Sequence, residues 1–84
     1  MNMELYSYKV IIEPEEDGGY HGFVPLLKGV HVCADTIDDT KADLKEAIRC
    51  HIQGLVKDGE RIPREDDVFE SVATFSENEF ALGV

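Results

Sequence analysis

Only one stretch of this 84-residue chain has a helical period. Ile37, Leu44, Ile48, His51, Ile52 and Leu55 fall on one stripe at about 100° per residue, with Asp38, Asp43, Glu46, Arg49, Cys50 and Gln53 away from it. A helix that is apolar on one side must lay that side on another element, and everything upstream reads as strand. Leu5 to Glu13 (LYSYKVIIE) alternates, with Tyr6, Tyr8, Val10 and Ile12 on one face and Leu5, Lys9 and Ile11 on the other. Pro14 to Gly19 carries an Asp-Gly turn signal, so Tyr20 to Val24 folds back on the first strand as a hairpin. Pro25 to Gly29 makes a second turn, too apolar in Leu26 and Leu27 to be merely solvated, and Val30 to Ala34 is a third strand.

Thr36 ahead of Ile37 is an N-cap, Asp38 and Asp39 put acids in the first turn, and Thr36 to Asp39 has capping-box spacing. Lys57 and Gly59 end the helix near Asp58, and Ile62-Pro63 lies beyond it. After a charged connector, Arg64 to Asp67, the alternation of Val68 to Ser76 (VFESVATFS) predicts a fourth strand, returned beside the first by a right-handed crossover. The expected fold class is α+β in the order β-β-β-α-β, a single mixed sheet with one helix packed on one face. The domain spans 1–76, with a short C-terminal tail at 77–84. One helix covers little more than one sheet face. Either Tyr6, Tyr8, Val10 and Ile12 or the set opposite, with Phe80, Leu82 and Val84, is therefore left for a second copy, giving a homodimer or homotetramer.

Eighteen acidic residues against eight basic ones give a net charge of −10. Such a field repels nucleic acid and anionic membrane surfaces and favours a basic partner. No apolar run approaches the roughly 20 residues that span a bilayer, and the opening residues lack the basic and apolar segments of a signal peptide. Cys33 and Cys50 are too few and too far apart for a disulfide framework, so a reducing cytoplasm is the expected location.

His21, His31, Cys33, Cys50 and His51 offer imidazole and thiolate, the preferred zinc ligands. Their spacing argues against a site: His31-x-Cys33 is the only close pair on a strand, and Cys50 faces away from the His51 stripe. No metal is expected, although His21, His31 and Cys33 stay open as a set. Glu13, Glu15, Glu16 and Asp17 suit Mg²⁺, but contiguous acids on a hairpin turn read as a solvated charge run. No nucleophile motif surrounds Cys33, Cys50 or Ser71, no glycine-rich phosphate loop opens a helix, and no basic patch is interleaved with aromatics. No catalytic residues and no cofactor are expected.

Taken in order, Asp17-Gly18-Gly19-Tyr20, Pro25-Leu26-Leu27-Lys28-Gly29, Ala34-Asp35-Thr36, Asp58-Gly59 and Ile62-Pro63 resemble the signature of HicB-type antitoxins. The sequence departs from the pattern at Leu26 and Lys28, where Asp and Pro are usual, and at Ala34 in place of Gly. The resemblance implies a truncated RNase H-like fold without catalytic function, which inhibits a small basic HicA-type toxin that cleaves mRNA. Within it, Gly19, Tyr20, Pro25, Gly29, Asp35, Thr36, Gly59 and Pro63 are structural, and Glu15, Glu16, Asp17 and Asp39 are the toxin-binding candidates. Many members carry a DNA-binding module after the last strand, for which this sequence has no room, so poor duplex binding alone is expected. The alternatives are an orphan HicB-like oligomeric interaction module without a toxin, or a metal-binding protein.

Overall fold

In the computed structural model, which describes residues 4–67 and 69–81, three strands precede one long helix. β1 (Ile11–Pro14), β2 (Tyr20–Phe23) and β3 (His31–Ala34) form a sheet in the order β1-β2-β3, antiparallel throughout. The expected mixed sheet is corrected on this point. Pro14 pairs with Tyr20 and Tyr20 with Ala34, while Ile11 pairs with Phe23 and Phe23 with His31. The helix α1 runs from Ile37 to Lys57, within one residue of the span its stripe predicts.

Both ends of α1 are closed locally. Thr36, with φ −128° and ψ 161°, accepts a hydrogen bond at Oγ1 from the Asp39 N–H at 3.0 Å. At the other end the Gly59 N–H donates to the Val56 carbonyl and the Glu60 N–H to the Leu55 carbonyl, at 3.1 and 2.8 Å. That pair of bonds is a Schellman motif, and it requires the positive φ of 74° that Gly59 adopts.

The core is Val24, Leu27, Val30 and Leu44, with Tyr8, Ile12, Val32, Ala47, Ile48 and Ile52 packed around it. Leu27 enters it because the 25–29 turn is pinned at both sides, by Leu27 N–H to the Val24 carbonyl and Val30 N–H to the Leu27 carbonyl. Thr40 is fully buried on the same helix face, and its hydroxyl donates to the Thr36 carbonyl at 2.7 Å, which removes the cost of burying a polar group. Ile37, placed on the stripe by its spacing, is 46% exposed instead. Gly22 marks where α1 crosses the sheet: a Cβ there would lie 2.6 Å from Leu44 Cδ1 and 2.7 Å from Thr40 Cγ2.

Strand pairing ends sooner than the alternation suggests. The first strand, expected over Leu5 to Glu13, has a ladder only at Ile11–Pro14, alongside the four residues of β2. The expected fourth strand has no ladder among the described residues of 69–76, and its first residue, Val68, lies outside them. The chain does return beside its beginning, but side chains hold it there. Tyr8 Oη donates to the Pro63 carbonyl at 2.6 Å, and the Lys9 N–H donates to Glu65 Oε1 at 2.9 Å. Lys9 also pairs with Glu70, and the Arg64 guanidinium pairs with Glu4 and sits 4.5 Å from the Tyr6 ring centre. A carboxylate on the Lys9 N–H takes the donor that a neighbouring strand would have used. Burial foremost, with the neighbouring Tyr6 and Glu65 opposing the ionised form, raises the Tyr8 phenol above its ordinary value.

Register decides which side chains remain open. Ile12, Gly22 and Val32 face the helix, so Ile11, Glu13, His21, Phe23, His31 and Cys33 share the other face. The uncovered set is thus the one opposite Tyr8 and Ile12. No helix among the described residues is long and apolar enough to cross a membrane.

Candidate functional site

β1 ends at Pro14, β2 begins at Tyr20 and β3 ends at Ala34, and these three residues are paired across the sheet. The hairpin turn of 15–19, the Asp35-Thr36 junction and the first turn of α1 therefore lie at the same end of the molecule. The turn is closed by the Glu15 N–H to the Gly19 carbonyl at 3.0 Å and by the Gly18 N–H to the Glu15 carbonyl at 3.1 Å. Gly19 has φ 76° and lies so close to β3 that a Cβ would stand 3.0 Å from the Ala34 carbonyl oxygen. A side chain at Gly19 would lift the turn off β3.

This end is acidic. Glu15, Glu16, Asp17, Asp35, Asp38 and Asp39 are all exposed there, and among the described residues none is paired with a cation. Glu15, Asp17, Gly19, Tyr20, Cys33 and Asp35 contribute to the wall of an open concavity of about 320 Å³. The four toxin-binding candidates are brought to one end: Glu15 and Asp17 line the concavity, Glu16 projects from the turn, and Asp39 sits on the capped first turn of α1. Acids at Asp38 and Asp39 also suit the positive end of the helix dipole, so they hold the helix start as well as charging the surface.

The signature residues are scattered by comparison. Gly19, Tyr20, Asp35 and Thr36 build the acidic end, Pro25 and Gly29 bound the turn that delivers Leu27, and Gly59 and Pro63 belong to the helix exit and the connector. His21 and His31 lie on the open sheet face with ring centres 5.8 Å apart, and His21 stacks on Phe23 at 5.7 Å. Cys33 points instead toward the turn, where its Sγ donates to Glu15 Oε1 at 3.5 Å. Among the described residues no three His, Cys, Asp or Glu side chains converge as a metal site requires.

The Cys33–Glu15 contact escapes sequence reasoning, although period two places Cys33 opposite His21, at the edge of the turn. Partial desolvation, then the hydrogen bond that the thiol donates to Glu15 and the charge of that carboxylate, raise the Cys33 thiol above its ordinary value. In a Cys50→Ser background, Glu15→Gln is therefore expected to speed alkylation of Cys33 by iodoacetamide at pH 8 several-fold, because less of the thiol is held protonated. An unchanged rate, read by mass spectrometry, would remove Glu15 from this role.

The family model for the HicB-like antitoxin of bacterial toxin–antitoxin systems matches residues 8–83. A UPF0150 protein of Synechocystis sp. is 41% identical over 63 residues, which cover 75% of this chain and 80% of the relative. A UPF0150 protein of Thermoplasma acidophilum is 42% identical over 60 residues, 71% of this chain and 87% of the relative. Another, of Archaeoglobus fulgidus, is 39% identical over 58 residues, 67% and 84% respectively. No solved structure matches the chain. With nearly its whole length matched, and with each signature turn placed where the fold needs it, this chain belongs to the HicB-like antitoxin family.

Proposed function

We propose that this protein binds a small basic HicA-type toxin and inhibits its cleavage of mRNA by covering the toxin's RNA-binding and catalytic surface. One observation carries the reading: six exposed carboxylates, without cationic partners among the described residues, are gathered at one end of the sheet. A surface that binds RNA is basic, and an acidic end competes for it by occupying the positions of phosphates. The antitoxin-type role follows from the family. The toxin's identity, the residues Glu15, Glu16, Asp17 and Asp39 as its contacts, and a truncated RNase H-like fold are the finer parts of the proposal. So are a non-catalytic protein, a cytoplasmic location, weak binding to nucleic acid alone, and a 1–76 domain with a 77–84 tail.

The test is charge reversal in a turn that lies outside the core. Changing Glu15, Glu16 and Asp17 together to Lys is expected to slow association with a HicA-type toxin by about tenfold or more at low salt, and to flatten its salt dependence. RNA cleavage by the toxin should then resist inhibition by the variant. Stopped-flow association unchanged at low salt would show that this end does not steer the encounter.

A second part of the proposal concerns self-association as a homodimer or homotetramer. It is supported by the open sheet face carrying Ile11 and Phe23, and by the exposure of Phe69, Val72 and Phe75. An orphan interaction module without a toxin would share this property and lack the first.

A further inference from the structure

Residues 69–76 have the composition of a strand, with Phe69, Val72, Thr74 and Phe75 and no proline, yet among the described residues they form no strand ladder. Phe69 is fully exposed and Val72 is 91% exposed. The root of this arm lies against the start of the sheet, where Phe69, Glu70 and Ser71 share a concavity of about 640 Å³ with Lys9, Val10 and Ile11. Beyond Ser71 the contacts become local: the Phe75 and Phe80 rings lie 5.2 Å apart, and the Ser76 N–H donates to Glu79 Oε2 at 2.9 Å. The molecule is correspondingly long, 62 Å in its greatest extent, with a radius of gyration of 17.5 Å. A compact chain of this length has a radius near 12 Å.

The sheet has a matching vacancy. β1 is an edge strand, and α1 lies mainly over β2 and β3 and only grazes β1. At about 3.3 Å per residue the four residues of β1 offer about 13 Å of edge, enough to pair half of the eight-residue arm, while the Lys9 N–H just ahead of them is held by Glu65. An open edge and an unpaired strand-forming arm on one small chain are complementary surfaces, and two copies related by a twofold axis satisfy both at once.

We propose that residues 69–76 of one copy add as a strand to the free edge of β1 in a second copy, each chain giving its arm to the other. This rests on the self-association proposed above and specifies its contact. Strand addition supplies main-chain hydrogen bonds to both partners and removes Phe69, Val72 and Phe75 from water. The arm of the same chain is rooted ahead of β1, where Arg64 and Glu65 of the connector and Glu70 of the arm itself meet Tyr6 and Lys9.

The experiment uses the full chain carrying Cys33→Ser, Cys50→Ser and Ala73→Cys, with an iodoacetamide spin label on the new cysteine, mixed with isotope-labelled native protein. All three positions are exposed. The expected result is a dimer in which the label on one copy weakens the amide signals of Ile11 to Glu13 in the other more than those of β3. Independently, Val72→Asp combined with Phe75→Asp should leave the monomer folded and raise the dimer dissociation constant by about tenfold or more. A dimer whose strongest signal loss lies away from β1, or whose affinity ignores the two aspartates, overturns arm exchange while self-association stands. A monomer by light scattering at micromolar concentration overturns self-association and arm exchange together.

Discussion

Leu44→Ala is expected to lower the unfolding free energy by about 2–5 kcal/mol, the range for emptying a packed aliphatic site. Leu44 is 1% exposed and joins the helix to Val24, Leu27 and Val30, so its loss leaves a cavity that the short sheet has little freedom to close. At about 0.05–0.15 kcal/mol per residue the whole chain has roughly 4–13 kcal/mol to lose, and this one change removes much of it. Urea unfolding followed by circular dichroism should show an earlier midpoint with an unchanged slope. Ile37→Ala, at the exposed start of the same helix, serves as the control and should cost about 0.5 kcal/mol or less. Equal costs for the two would mean that α1 does not meet the sheet at Leu44.

Gly22→Val sets two effects against each other. Valine is a strand former worth up to about 1 kcal/mol over glycine on an open strand. At Gly22, however, a Cβ would come 2.6 Å from Leu44 Cδ1 and 2.7 Å from Thr40 Cγ2, and both neighbours are fully buried. Overpacking of this kind costs about 1–3 kcal/mol, so the substitution should destabilise despite the propensity gain. Combining Gly22→Ala with Leu44→Ala should cost less than the sum of the two singles, because the methyl added on the strand fills space vacated on the helix. Strict additivity by thermal or urea unfolding would separate the two sites and contradict the crossing point.

The parts of this fold that sequence makes legible are those closed by neighbours in the chain. Thr36 caps the helix that its spacing predicts, Gly59 ends it, and the glycines of the first hairpin turn adopt the positive φ that a tight reversal needs. The apolar pair Leu26-Leu27 marks the 25–29 turn as more than solvated, and the structure selects Leu27 of the two for the core. The fourth strand was not readable. Alternation in VFESVATFS states that the segment can be half of a ladder, and nothing in its own sequence says whether the other half is in reach. The same reason shortens the first strand to Ile11–Pro14, the part that β2 accompanies. At the acidic end, Glu15, Glu16, Asp17 and Asp39 are the candidates named from the sequence, Asp39 doubling as an acid of the first helical turn. Asp35 and Asp38 joined them only once the register placed the hairpin turn beside the helix start.

The ties between the beginning of the chain and its connector link residues 55, 56 and 60 positions apart, whereas the hairpin, the 25–29 turn and the helix are closed over far shorter stretches. Closing a long loop is entropically the dearer step, and the exposed ion pairs that close this one are individually weak. The two halves of the structure therefore differ in how readily they open. The clip at Tyr6, Lys9, Arg64 and Glu70 can release while Val24, Leu27, Val30 and Leu44 stay packed, a local opening of the kind that precedes global unfolding. In the proposed exchange, an arm rooted in such a clip would be governed by the clip's own lifetime, so copies would trade arms at a rate that core substitutions leave nearly untouched.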